Sequence, residues 1–194
     1  MTSFEYASGL ISIVVGLAVA RVLGGVGAFL NADRRTSSDW IVGAWCILLS
    51  IALVAWWMAG WRFLRQQAEI SFASLVFWMF ATAVLYLAAY LLVPRNVASL
   101  HGDDRETNFD LPNRAFFVCL AVHYGAFLLY VVTDLPLVVE SSPVVDGRLP
   151  FLPMLIIASA AGFFVRTPRG YVVHLAIWGV MLIAAIAISL PVLG

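Results

Sequence analysis

Six blocks of apolar residues, separated by short polar stretches, organise this chain; they run over residues 4–30, 39–64, 71–93, 113–139, 151–165 and 171–193. A helix needs about twenty apolar residues to cross roughly 30 Å of hydrocarbon. The fifth block is shorter than the others and begins between Pro150 and Pro153, so it either crosses with little tilt or is partly re-entrant. The pattern predicts an all-α polytopic membrane protein of six transmembrane helices with short loops, a single integral membrane domain over residues 1–194.

Polar residues at the block edges give reasons for the boundaries. Thr2-Ser3-Phe4-Glu5 has capping-box spacing, so the first helix starts at once. Thr36-Ser37-Ser38-Asp39 offers a cap to the second helix, and Pro94 stops the third. Asp110-Leu111-Pro112-Asn113 suits a helix start with proline in the first turn. Thr167-Pro168-Arg169-Gly170 reads as a tight turn.

Composition supports the membrane assignment. The chain is 63% hydrophobic and 11% charged, with mean hydropathy +0.98, against about 25% charged in a soluble domain. Net charge is zero, which gives no reason to expect nucleic-acid binding. All eleven basic residues are arginine. Loops after the first, third and fifth helices, with the adjoining helix ends, carry Arg34, Arg35, Arg95, Arg105, Arg114, Arg166 and Arg169; the opposite side carries Arg62, Arg65 and Arg148. By the positive-inside rule both termini are extracytoplasmic, in what we take to be a bacterial inner membrane. Trp40, Trp57, Trp61, Tyr86 and Tyr90 read as interfacial anchors. Cys46 and Cys119 fall inside apolar runs and read as small buried hydrophobes.

Polar residues inside the blocks are the candidates for function. In the first helix Ser8, Ser12, Gly16, Ala20, Gly24 and Ala28 recur every fourth position. Such a ladder lets a second backbone approach closely, either within the subunit or in a homo-oligomer. Each step of four advances about 40°, so the ladder winds around its helix. Arg21 flanks it, about 13 Å in from the helix end. A charge at that depth needs carbonyls, water or an anion for company.

The fourth helix carries His123, Tyr130 and Asp134 at offsets that return to within about 20° of one direction. This column suggests a hydrated path from mid-membrane outward, or side chains that cap carbonyls of a neighbouring helix. His123 lies about 15 Å from its helix end, near the depth reckoned for Arg21. If the two helices are neighbours, Arg21 and His123 form a cluster without a counter-ion, suited to an anion.

His174 with His123 offers two axial ligands for a b-type haem, although their reckoned depths differ by nearly 10 Å. The loop His101-Gly102-Asp103-Asp104-Arg105-Glu106-Thr107-Asn108-Phe109-Asp110 matches no cation-binding spacing and reads as solvated. No G-x-S-x-G, H-E-x-x-H or P-loop motif occurs. The leading expectation is a channel or transporter for an ion or small polar solute, anionic if Arg21 selects it, with no cofactor and with the bilayer and further copies of itself as partners. Arg21, His123, Tyr130 and Asp134 would line the pore. The alternatives are a haem- or quinone-linked redox subunit and an accessory or sensory subunit.

Overall fold

The computed structural model of the chain describes residues 3–30, 37–66, 70–93, 112–133 and 151–189. All regular structure there is helical: α1 Ser3–Leu30, α2 Ser37–Gln66, α3 Phe72–Leu92, α4 Arg114–Thr133, α5 Phe151–Gly162 and α6 Pro168–Ser189. This is an α-helical integral membrane architecture. Thr2, Thr36, Pro94, the 101–110 loop, Asp134, Pro136 and the side chain of Ala28 lie outside what is described.

Five helices are long and apolar enough to cross a membrane; α5, with 12 residues, is not. It covers about 18 Å at 1.5 Å per residue. Six helices form, as the apolar blocks predict, and the described part of the fifth is the short one. After Gly162 the chain tightens into i→i−3 turns, with Phe163, Phe164 and Val165 N–H bonded to Ala160, Ala161 and Gly162 carbonyls. That geometry ends an α-helix instead of extending it.

Three helix starts have visible caps. Ser71 Oγ accepts from Ser74 N–H at 3.1 Å at the start of α3. Asn113 Oδ1 accepts from Phe116 N–H at 2.9 Å at the start of α4, so Pro112 precedes the helix and is not in its first turn. Thr167 Oγ1 accepts from Gly170 N–H at 3.1 Å. Thr167 to Gly170 is thus a cap and first turn, with Pro168 at the first helical position where its missing N–H costs nothing.

Helices α2, α3, α4, α5 and α6 close a ring, and α1 lies in the outer groove between α2 and α3. α1 buries Ala7, Ile11, Val15, Ala18, Val22, Gly25 and Phe29. Steps of three and four keep those residues on one stripe. The small-residue ladder takes only steps of four, so it drifts off that stripe. Ser8 and Ser12 are half-buried, whereas Gly16, Ala20 and Gly24 are exposed on the outer face. The glycine that packs is Gly25, whose added Cβ would lie 2.7 Å from Val93 on α3; a Cβ at Gly16 or Gly24 meets nothing within 4 Å.

Aromatic rings fill the middle. Trp45, Trp78, Trp178, Phe116 and Phe117 are fully buried. Trp45 stands edge-on to both Phe116 and Phe117 and 5.3 Å from Trp178. At Gly162 the absence of a side chain makes room for this cluster: a Cβ there would collide with the Phe117 ring and lie 2.7 Å from His174 Nε2. Gly162→Ala is expected to destabilise the bundle by about 1–3 kcal/mol through overpacking. Gly16→Ala is expected to be neutral or to stabilise by up to about 1 kcal/mol. Thermal unfolding of both variants in one detergent checks the contrast.

Candidate functional site

Arg21 is half-buried, and its company is α3. Nη2 donates to the Val93 carbonyl at 3.0 Å, and the guanidinium carbon lies 5.2 Å from the centre of the Tyr90 ring. Val93 is the C-cap of α3. A cation at a helix C-terminus satisfies exposed carbonyls and meets the negative end of the dipole. α1 continues past this point to Leu30, so Arg21 sits level with the end of α3.

His123 attaches to α3 elsewhere. Its Nδ1 lies 3.0 Å from the Ala81 carbonyl oxygen. About two turns further along α4, the Tyr130 hydroxyl lies 3.1 Å from the Ser74 hydroxyl, and the Tyr130 ring stacks on Phe77 at 4.1 Å. The offset of seven between His123 and Tyr130 on α4 is matched by seven between Ala81 and Ser74 on α3. Antiparallel helices in contact meet at such heptad intervals. The polar face of α4 is therefore a set of rungs to α3.

The expected Arg21–His123 cluster does not form. Arg21 reaches Val93 and His123 reaches Ala81, twelve residues apart on α3, which is about 18 Å. The depth match failed because it measured each residue from its own helix end, and α1 outruns α3.

A half-open cavity of about 80 Å³ lies between α2, α4, α5 and α6. Burial grades along every wall: from Ala52 to Ala59 on α2, Tyr124 to Phe127 on α4, Leu155 to Phe151 on α5 and Leu182 to Ile186 on α6. The first of each pair is buried and the second partly exposed. The floor is thus at mid-bundle and the mouth faces the end where α5 begins. His123, 2% exposed, is part of that floor. Trp56 stands edge-on to it at 4.5 Å and sends its own N–H to Thr82 Oγ1 at 3.0 Å.

His174 belongs to another cluster. It is buried against Trp45 and Phe117, its ring 5.6 and 5.1 Å from theirs, and its Nε2 makes no hydrogen bond. His123 packs on Trp56, eleven residues from Trp45 along α2, or about 16 Å. The two imidazoles do not face a common plane, so this fold does not pair them as axial ligands of one haem.

Of the residues the sequence singled out, Tyr130 and His123 share the α3–α4 seam, and Arg21 and His174 lie apart from it. Ser12 accepts from Trp57 N–H at 2.9 Å, a contact between α1 and α2. Sequence reasoning missed the hydroxyl partners: Thr82 accepts from Trp56, Ser159 accepts from Trp178 at 3.2 Å, and Ser74 shares a hydrogen bond with Tyr130. The signal was available, because a buried Trp N–H or Tyr O–H needs a partner and these are hydroxyls within apolar helices. No family model, curated protein or solved structure matches this chain.

Arg21→Met is expected to destabilise the bundle by about 1.5–3 kcal/mol, the worth of a hydrogen bond from a charged donor. Arg21→Lys should lose less, since an ammonium still reaches the carbonyl. Thermal unfolding in detergent separates the two, and a larger loss in the lysine variant contradicts the capping role.

Proposed function

We propose that the chain is a membrane-embedded binding protein, a sensory or accessory subunit, that takes a small bilayer-dissolved molecule into the cavity floored by His123. The half-open, largely apolar cavity is the observation that carries this reading. Small-molecule sites are concave and mostly apolar, with few polar groups to orient the ligand. The channel reading drew on a polar column in α4. In the folded bundle His123 and Tyr130 spend polar atoms on α3, which leaves the column without its described lining. A molecule that fits apolar walls also dissolves in lipid and needs no conduit.

Arginine placement supports an orientation. Arg21, Arg114, Arg166 and Arg169 lie toward one end of the bundle and Arg62 and Arg65 toward the other, among the described residues. We place the first end in the cytoplasm, so that the cavity opens toward the outer leaflet.

We also propose that the outer face of α1 meets a second copy of this chain. Gly16, Ala20 and Gly24 are exposed there, with open space at the position of each glycine Cβ. Small residues permit backbone approach between membrane helices. The double variant Gly16→Leu, Gly24→Leu is expected to keep its thermal stability and to run as a monomer where the parent runs as an oligomer, read by mass photometry in nanodiscs. An oligomer unchanged in the variant removes α1 from the interface.

Binding is tested with 4-fluorophenol and ¹⁹F NMR on protein in nanodiscs. A saturable bound signal is expected, and Ala55→Phe, which fills the cavity from α2, should abolish it. Partitioning equal to that of protein-free nanodiscs overturns the binding role.

A further inference from the structure

Resting on the binding role proposed above, we infer that the cavity selects an apolar molecule bearing a hydroxyl, which donates its O–H to Nε2 of His123. A carbonyl oxygen only accepts, so the 3.0 Å contact with Ala81 requires the proton to be on Nδ1. Among the described residues no Asp, Glu, Lys or Arg lines the cavity. An imidazolium would therefore be a buried charge without a partner, which is costly, and the ring is neutral. With Nδ1 protonated, a neutral ring carries its lone pair on Nε2. Nε2 is then the polar atom the ring has left for the cavity, and it is an acceptor.

The other polar lining groups do not reverse this preference. The Trp56 N–H is committed to Thr82 Oγ1, so it offers no donor to a ligand carbonyl. Tyr124 carries the remaining polar group, a hydroxyl that can give or take. A molecule that only accepts hydrogen bonds would leave the His123 lone pair facing it. A molecule with an O–H satisfies it. Size sharpens the class: a cavity of about 150 Å³ encloses a whole benzene, and this one is about 80 Å³ and half-open. A hydroxyl-bearing head enters, and the rest of the molecule reaches the partly exposed rim at Phe127, Phe151 and Ile186.

The test compares 4-fluorophenol, 4-fluoroanisole and 4-fluorotoluene in nanodiscs, each corrected for partitioning into protein-free nanodiscs. These probes are a donor, an acceptor only and neither. The phenol is expected to bind about tenfold more tightly than the other two, in line with one buried hydrogen bond. His123→Phe should erase that ratio, and Tyr124→Phe, which keeps the imidazole, should preserve it. The order of the three probes on the unmodified chain needs no variant to fold. Anisole binding as tightly as phenol overturns the selectivity and leaves the binding role standing. Saturable binding by none of the three overturns the binding role itself.

Discussion

In hydrocarbon a buried N–H or O–H has no water to turn to, so an acceptor on a neighbouring helix counts for much; Trp45 and Trp78 bury indole N–H groups without one. α3 answers that demand from three sides. Arg21 of α1 bonds to its last carbonyl, Trp56 of α2 to Thr82, and His123 and Tyr130 of α4 to Ala81 and Ser74. Thr82 in turn donates to the Trp78 carbonyl at 2.7 Å, so its hydroxyl is used in both directions. Dispersion alone tolerates sliding of one apolar helix along another. Directed bonds at fixed heights do not, and they set the register of α1, α2 and α4 against one post.

The same bonds decide what the polar groups can do. An imidazole whose Nδ1 is bonded to the Ala81 carbonyl cannot rotate freely, and its ring is held in the cavity lining. Trp56, which also lines the cavity, is held by Thr82. The floor of the cavity is thereby held by contacts that also hold the fold together: a backbone carbonyl of Ala81 and the side chain of Thr82.

Much of the fold was legible in the sequence. Long apolar runs located α1, α2, α3 and the starts of α4 and α6 to within a few residues, because lipid imposes length and hydropathy on each span separately; the expected ends at 139 and 193 lie outside the described residues. The identity of the residues that would matter was partly legible: Arg21, His123 and Tyr130 stand out as polar groups in apolar helices. Their partners were not. Pairing depends on helix offsets, and α1 outrunning α3 moves Arg21 a long way from His123 in height. The cavity was invisible for a related reason. Its walls come from Ala52, Ala55, Trp56 and Ala59 on α2 and from three residues on each of α4, α5 and α6, so no one helix carries its pattern. The small-residue ladder shows the limit of periodicity: a repeat of four looks continuous in sequence yet crosses from the packed face to the outer face of its own helix.

The short α5 connects the fold to the site. Gly162 lies against Phe117, which fixes α5 on α4 at its C-terminal end. Counting back antiparallel from that contact brings Phe151, the first residue of α5, level with about Leu128 on α4. Among the described residues α4 runs on to Thr133 and α6 to Ser189, beyond the level of Phe151, so the described part of α5 begins a step below their ends. The partly exposed rim residues Phe127, Phe151 and Ile186 gather at that step. The short α5 thus sets the level at which these rim residues meet, with His123 beneath them on the floor.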